Sequence, residues 1–304
     1  MVRVVSTTSL PDDVAVDLPG LDAPRDFVGI NAVELSDADA LICLLVDKID
    51  QAVIARAPKL RVIANCAVGY DNVDVPAATR AGIAVTNTPD VLTEATAELA
   101  FALMLTAARR IPEGERVMRA GQWVGFRLDQ LLGVELAQKT LGIVGMGRIG
   151  KAMARRAEAF GMIVRSAREP AKIDELFETS DVVSLHCPLT PETRHLVNAE
   201  RLARMKPSAI LVNTSRGGCV DEDALIAALH AGTIFAAALD VFANEPEIDR
   251  RLYDCPRLVL SPHIGSATTE TRTAMARLCA NAVIDVLAGR RPPNLVNKDV
   301  VIRG

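Results

Sequence analysis

The chain reads as an α/β protein of two doubly wound parallel-sheet units, and three observations lead there. Short apolar or β-branched runs alternate with helix-like segments along the whole chain, the pattern of parallel strands joined by crossover helices. The length, 304 residues, is more than a single core usually supports. In mid-chain, Thr140 to Gly150 reads as a buried strand that runs into a glycine turn and then a helix.

In order, Val2 to Val5 is a β-branched run, and Ala40 to Val46 and Arg61 to Ala67 repeat the pattern with helix-like segments between them. Ala77 to Ala81 stops at Gly82, and Ile83 to Val85 follows as a further strand. This half is expected to be a small α/β unit of its own. Thr93 to Arg110 is apolar nearly all round, as expected of a helix buried between two bodies, and is read as the crossing between domains. Its apolar stretch Leu99 to Ala108 falls well short of the ~20 residues that a membrane span needs.

In Thr140-Leu141-Gly142-Ile143-Val144-Gly145-Met146-Gly147-Arg148-Ile149-Gly150, the three spaced glycines have separate uses. Gly145 allows a tight turn, Gly147 lets backbone approach a pyrophosphate, and Gly150 lets the helix press on the strand. Such spacing alone could be a structural turn. Here Leu141, Ile143 and Val144 make the strand before it, and Ile149, Ala152, Met153, Ala157 and Phe160 have helical spacing after it, closed by Gly161. In that context it is a dinucleotide-binding fingerprint, with the positive end of the helix turned to the phosphates.

Further strands are expected at Ile163 to Val164, Val182 to Leu185, Ile210 to Asn213, Ala236 to Leu239 and Leu258 to Leu260. Asp221 caps a helix over Glu222 to Leu229, with Gly232 after its end. A last helix, Thr268 to Ala288, is stopped by Pro292-Pro293 and is expected to return to the first unit. The expected domains are therefore residues 1–92 with 268–304, and 93–267.

The composition narrows the function. A net charge of -4 and a pI near 5.7, with no basic run, exclude a nucleic-acid footprint. Cys43, Cys66, Cys187, Cys219, Cys255 and Cys279 are far apart with no Cys-x-x-Cys pair, so neither a metal site nor a disulfide framework is expected. They read as small buried apolar residues in a reducing compartment. Met1 to Leu18 lacks the pattern of a secretory signal, and the reading is a soluble cytoplasmic protein without a membrane partner.

Candidates for chemistry stand at strand ends, where open α/β sheets bind ligands. His263 lies just past Leu258 to Leu260; His186 follows an apolar strand; His195 and His230 sit in polar or helical surroundings that suit a solvated or structural role. A lone histidine at a strand end is more often structural, so partners decide. Arg216 follows Ile210 to Asn213 and could hold a carboxylate by two parallel hydrogen bonds, the alternative being a surface ion pair. Glu245 lies in the loop after Leu239, where alone it would be read as solvated. Three successive strand ends that supply Arg, Glu and His make a constellation.

Val68-Gly69-Tyr70-Asp71-Asn72-Val73-Asp74, the glycine fingerprint, Asn213-Thr214-Ser215-Arg216-Gly217-Gly218, Asp240-Val241-Phe242 with Glu245-Pro246, and Ser261-Pro262-His263-Ile264-Gly265-Ser266 together resemble the D-isomer-specific 2-hydroxyacid dehydrogenases over essentially the whole chain. Asn87-Thr88-Pro89-Asp90-Val91-Leu92-Thr93 and Arg119-Ala120-Gly121-Gln122-Trp123 look most like the glyoxylate/hydroxypyruvate reductases of that family. The resemblance implies a homodimer whose chains each carry a flavodoxin-like substrate domain and a Rossmann cofactor domain, acting on a small 2-keto acid. It makes His263 the acid/base, Glu245 its partner and Arg216 the substrate clamp, a carboxylate beside an imidazole favouring the imidazolium that can give up a proton. Val46, Val68, Gly69 and Trp123 would meet the substrate, Val68 and Gly69 through backbone N–H groups and Trp123 in the neighbouring subunit's site. Thr96, Gly145, Gly147, Arg148, Ile149, Gly150, Ser166, Arg168, Cys187, Pro188, Thr193, Thr214, Ser215, Arg216, Asp240, His263 and Gly265 would line the cofactor, with Asp240 on the nicotinamide amide.

One departure bears on the cofactor. An acidic residue ~20 positions past the glycines usually binds the ribose hydroxyls of NAD, and an arginine accommodates the 2′-phosphate of NADP. Here Ile163-Val164 is followed by Arg165-Ser166-Ala167-Arg168-Glu169-Pro170, in a segment that looks shortened before Asp181. Ser166 and Arg168 favour NADP over NAD, while Glu169 argues the other way. Two alternatives to the reductase accompany this reading: a nucleotide-sensing, corepressor-like binding protein, and a phosphoglycerate dehydrogenase of serine synthesis, which predicts a regulatory extension not found in this sequence.

Overall fold

The computed structural model describes Val2 to Ile302. The chain divides into two compact units, Met1–Leu92 with Ser266–Gly304, and Thr93–Gly265.

The first unit is a five-stranded sheet: β1 (Val4–Ser6), β2 (Leu21–Asp22), β3 (Ala40–Cys43), β4 (Val62–Asn65) and β5 (Ala84–Thr86). The order is β2-β1-β3-β4-β5, with every pair parallel. Period-2 alternation feeds two cores, as a sheet covered on both faces requires. Val5, Leu41, Cys43, Ile63 and Val85 enter one core; Val4, Ala40, Ile42, Val62, Ala64 and Ala84 enter the other, where Ala276, Cys279, Ala280 and Val283 of the C-terminal helix Thr269–Leu287 meet them. The connecting helices are α1 (Asp12–Ala15), α2 (Gln51–Ala55) and α3 (Val75–Arg80), the last two capped by the side chains of Asp50 and Asp74.

Three strands depart from the sequence runs that suggest them. The run Val2 to Val5 is a strand only from Val4, and it extends to Ser6. The run Ala40 to Val46 stops at Cys43, because the Leu44 amide donates to Asp47 Oδ2 at 2.9 Å rather than to a neighbouring strand. That oxygen also accepts from Thr7 Oγ1 at 2.6 Å, so a buried aspartate turns the chain and leaves Val46 exposed. The run Arg61 to Ala67 is a strand only over Val62–Asn65, since the Ala67 amide turns back to the Asn65 carbonyl at 2.8 Å.

The second unit contains α4 (Thr93–Ala108), α5 (Ile111–Arg119), β6 (Thr140–Val144), α6 (Arg148–Ala159), β7 (Ile163–Ala167), α7 (Pro170–Thr179), β8 (Val182–Leu185), α8 (Ala199–Arg204), β9 (Ile210–Asn213), α9 (Glu222–Ala231), β10 (Ala236–Leu239) and β11 (Leu258–Leu260). Its six strands are all parallel in the order β11-β10-β9-β8-β6-β7. Strand order reverses at β6 and β8, the topological switch at which α/β sheets open a ligand crevice.

The long helix differs from the sequence expectation. It ends at Ala108, and Arg110 turns left-handed (φ +53°) ahead of Ile111-Pro112. It is buried along one face only, through Ala97, Ala100, Leu103, Met104, Ala107 and Ala108. Its first turns carry Glu94 and Glu98, which pair with Arg155 and Arg156 of α6 at 2.7 to 3.1 Å. The small side chains let α4 and α6 pack closely over the β6 to β10 face. Among the described residues, no helix is long and apolar enough to cross a membrane.

Candidate active site

The carboxyl ends of β9, β10 and β11 are neighbours, and each is fixed by a buried polar side chain. At β9, buried Asn213 accepts from the Ser215 amide at 3.0 Å and the Ser215 hydroxyl at 2.8 Å. Its Nδ2 donates to the Arg216 carbonyl at 2.9 Å, which curls Thr214-Ser215-Arg216 into a tight turn. Arg216 is half-buried and its Nη1 donates to the Ser215 carbonyl at 2.9 Å. The next residue has to be glycine: a Cβ on Gly217 would lie 1.8 Å from the Phe242 carbonyl carbon, so this turn rests directly on the backbone after β10.

Asp240, at the end of β10, grips the loop after β11 from inside. Its Oδ1 accepts from Ser261 Oγ at 2.6 Å and the Ile264 amide at 2.9 Å, its Oδ2 from the Gly265 amide at 2.9 Å, and its backbone carbonyl from the His263 amide at 2.8 Å. Burial pushes this carboxyl above the usual aspartate range, and the three donors to its side chain pull the other way. The grip holds His263 at φ +52°, a left-handed conformation that a non-glycine residue keeps only when its surroundings impose it.

Glu245 then meets that histidine. Its Oε1 accepts from the Phe242 amide at 2.8 Å, and its Oε2 lies 2.6 Å from His263 Nδ1. The pair is only partly screened, with His263 25% and Glu245 18% exposed. With Nδ1 engaged, Nε2 is the ring nitrogen left to face a reacting oxygen.

On β6, the glycine turn suits a phosphate. Gly145 has φ +98°, and a Cβ there would lie 2.6 Å from the Cys187 amide nitrogen. A Cβ on Gly150 would lie 2.2 Å from the Gly145 carbonyl oxygen, whereas one on Gly147 would meet no atom within 4 Å. Space therefore opens at the one glycine meant to admit a ligand. Helix α6 begins there without a side-chain cap, so its first amides face that space. Thr214 Oγ1, at the end of β9, is buried without a hydrogen-bond partner. The open cradle and the orphaned hydroxyl fit a dinucleotide. Thr193 Oγ1 donates to the Pro188 carbonyl at 2.6 Å and accepts from the Thr190 amide at 2.7 Å, which shapes the loop after Cys187. Gly265 is close to Thr96: a Cβ on it would lie 3.4 Å from Thr96 Cγ2.

The family model described as D-isomer specific 2-hydroxyacid dehydrogenase, NAD binding domain, matches residues 101–265. The glyoxylate reductase of Thermococcus litoralis is 50% identical over 290 residues, covering 90% of this chain and 88% of that protein. The chain belongs to the D-isomer-specific 2-hydroxyacid dehydrogenase family. Among solved structures, a protein from Thermus thermophilus has a TM-score of 0.91 at 45% identity, covering 97% of this chain and 99% of the other. An NADPH-dependent glyoxylate/hydroxypyruvate reductase from Sinorhizobium meliloti, solved with NADP and malonate, has a TM-score of 0.88 at 34% identity, covering 100% and 99%.

The remaining residues carried over from the dehydrogenase resemblance occupy three places. At the edge strand, Val144 pairs with Ala167, so exposed Arg168 follows directly beyond that rung and Ser166 lies one residue before it; Glu169 pairs with Lys172 at 3.1 Å. In the first unit, Val68 and Gly69 are half-buried after β4, in a loop whose carbonyls are all tied: Ala67 to the Thr88 amide, Val68 to Asn87 Nδ2 and Gly69 to Asn65 Nδ2, each at 2.8 Å. Trp123 is exposed past the end of α5.

Several supporting residues escaped the sequence reading. Asn65, Asn87, Asn213 and Ser261 hold the loops through hydrogen bonds to backbone and neighbouring polar side chains, and short polar residues at strand ends give no periodic signal. His186, named in the sequence only as following an apolar strand, is half-buried, with Nε2 at 2.9 Å from Ser184 Oγ and a buried Nδ1 without a hydrogen-bond partner, and burial lowers its pKa to about 4.

Proposed function

We propose that this chain reduces a small 2-keto acid, glyoxylate or hydroxypyruvate, to the 2-hydroxy acid with a reduced nicotinamide cofactor. The observation that carries the reading is the 2.6 Å contact between Glu245 and His263 Nδ1, at a strand end beside that of Arg216 and in the same unit as the glycine cradle. The bound nicotinamide supplies the hydride. Gly145, Gly147 and Gly150 with Arg148 and Ile149 hold its pyrophosphate, and Thr96, Cys187, Pro188, Thr193, Thr214, Ser215, Asp240 and Gly265 line the rest.

The protein's own part is orientation and proton transfer. Val68 and Gly69 offer backbone N–H groups to the substrate carboxylate, and Val46 is a further candidate contact. Arg216 presents two parallel N–H donors and stabilises the negative charge that grows on the keto oxygen. His263 Nε2 gives that oxygen a proton while Glu245 holds Nδ1–H and steadies the imidazolium. This division of roles is the one expected of an acid whose ring is oriented by a carboxylate.

Within this reading NADP(H) is the preferred cofactor. Exposed Ser166 and Arg168 at the end of β7 offer a hydroxyl and a cation to a 2′-phosphate, while the carboxylate of Glu169 is turned to Lys172. The working molecule is a homodimer. Val124, Phe126 and Leu128 are 84%, 84% and 85% exposed next to Trp123, more apolar surface than one short segment leaves to water without a partner. A second copy covers them, and it places Trp123 in the neighbouring site.

The test is oxidation of NADPH and NADH, followed by absorbance, across a panel of 2-keto acids. Turnover is expected with glyoxylate and hydroxypyruvate and faster with NADPH. No turnover with either acid overturns the reading. Light scattering of the parent and of Phe126→Glu tests the dimer, which the charge is expected to split.

A further inference from the structure

We propose that Asn72 is a positioning residue for the substrate: its carboxamide braces the loop after β3, which carries Val46, against the loop after β4, which carries Val68 and Gly69. The two strands are neighbours in the sheet of the first unit, so their loops leave it side by side. The effect on turnover rests on the reading that these loops meet the keto acid; the brace itself does not.

The brace runs from one half-buried side chain. Asn72 Nδ2 donates to the carbonyls of Leu44 at 3.1 Å and Asp47 at 3.0 Å, the two ends of the turn that holds Val46. The same nitrogen donates to Asn65 Oδ1 at 3.1 Å. Asn65, buried at the end of β4, returns a bond from its Nδ2 to Asn72 Oδ1 at 3.3 Å and gives another to the Gly69 carbonyl at 2.8 Å. Two facing carboxamides therefore connect the Val46 turn to the Gly69 backbone. Just beyond, the main chain joins the same loops: the Ile49 amide donates to the Asn72 carbonyl and the Asp74 amide to the Ile49 carbonyl, each at 2.8 Å.

The position needs both halves of an amide. Backbone carbonyls only accept, so a donor must face Leu44 and Asp47, while Asn65 Nδ2 needs an acceptor. An aspartate has the same shape and would set a carboxylate against two carbonyl oxygens; an alanine would leave the loops unjoined at this point.

The neighbouring bonds divide the work. Asp47 Oδ2 accepts from the Leu44 amide at 2.9 Å and from Thr7 Oγ1 at 2.6 Å, which fixes the shape of the Val46 turn and ties it to the end of β1. The Val68 carbonyl is tied to Asn87 and that of Ala67 to Thr88, which fixes the β4 loop to the one after β5. Asn72 sets where these two fixed pieces stand relative to each other. A shift of about 1 Å in a positioning element can lower a rate on the order of 100-fold.

Asn297 supplies a matched control in the same unit. It too is buried, its Nδ2 donating to the Ile83 carbonyl and to Thr79 Oγ1, each at 2.9 Å, and its Oδ1 accepting from the Val85 amide at 2.8 Å. These bonds lie at the start of β5, the end of the sheet away from the loops.

The experiment compares the full chain with Asn72→Ala, Asn72→Asp and Asn297→Ala by amide hydrogen exchange, read by mass on peptides spanning residues 44–49 and 66–73. KM for glyoxylate, NADPH affinity and Tm are measured alongside. Both Asn72 variants are expected to exchange faster in the two peptides together and to raise KM at least about tenfold. NADPH affinity should be kept, because the glycine cradle belongs to the other unit. Asn297→Ala should lower Tm and keep KM. Asn72→Ser, which retains one donor, should show a smaller change in the same direction and stands in for any variant that does not fold. The proposal is overturned if Asn72→Asp matches the parent, if only one of the two loops loosens, if KM is unchanged, or if Asn297→Ala raises KM as much. Loosening of both loops in a protein that reduces no keto acid would support the brace and sink the functional reading.

Discussion

The two edges of the six-stranded sheet are built to different standards. At β9, β10 and β11, buried Asn213 and Asp240 and half-buried Glu245 fix the loop backbones with hydrogen bonds of 2.6 to 3.0 Å, and a Cβ at Gly217 would collide with the next loop. At β7, Ser166 and Arg168 lie exposed, and Glu169 is held by one exposed ion pair with Lys172. Such a pair is worth about 0–1 kcal/mol. In the proposed mechanism the first edge holds the groups that transfer the proton, where a small misplacement is costly. In the same reading the second would only add contacts to one end of a cofactor, and it could vary without disturbing the rest.

The largest expected effect breaks the rigid edge at its centre. In the proposed mechanism His263→Ala removes the proton donor, so kcat with glyoxylate should fall on the order of 100-fold or more while the cofactor still binds. Steady-state kinetics and a cofactor titration check this. Near-normal turnover would mean that the fixed geometry serves structure alone.

The middle of the sheet gives a stability effect. Burial holds His186 at a pKa of about 4 against an ordinary 6.5, so the fold favours its neutral form. The unfolded imidazole takes up a proton first as pH falls. The contribution to stability is therefore complete above pH 6.5 and is lost as pH drops towards 4, by about 3 kcal/mol. Urea unfolding of the parent and of His186→Gln at both ends of that window tests it. The variant should lose less stability on acidification; equal losses would assign the acid sensitivity elsewhere.

Arg216→Lys probes whether the rigid edge depends on shape or on charge. If two parallel donors are needed, kcat/KM should fall about tenfold or more, because an ammonium cannot replace the planar fork. A lysine variant equal to the parent would reduce Arg216 to a point charge.

How much could be read from the sequence follows the same division. The parallel α/β architecture is legible because buried strands such as Ile210–Asn213, and Ala236–Leu239 before Asp240, are continuous apolar runs closed by a polar residue. The partnership of Glu245 with His263 came from the family resemblance, and the 2.6 Å contact supports it. The sequence marks β7 only over Ile163-Val164, yet it runs to Ala167; an edge strand with Arg165 and Ser166 exposed has no buried alternation to mark its end. Helix α5 leaves no core pattern in the sequence because none of its residues is buried. The Asp240 grip on the loop after β11 depends on long-range packing, which no local pattern reports.

The smallest expected effect lies at the loose edge and is one of preference. Val144 pairs with Ala167, which places Arg168 just past the rung that leads into the Gly145 turn. A guanidinium there would meet a 2′-phosphate and have nothing comparable to hold in NAD. Because the side chain is exposed, screening limits the interaction to the order of 1 kcal/mol, a several-fold change in affinity. Arg168→Ala should therefore lower kcat/KM for NADPH several-fold and leave that for NADH nearly unchanged, with a weaker NADPH preference at high salt. Glu169→Gln gives the opposite control: removing a carboxylate that repels the phosphate should raise NADPH use. If the parent prefers NADH, or if Arg168→Ala weakens both cofactors equally, the 2′-phosphate contact is wrong and Glu169 becomes the candidate partner of the ribose hydroxyls.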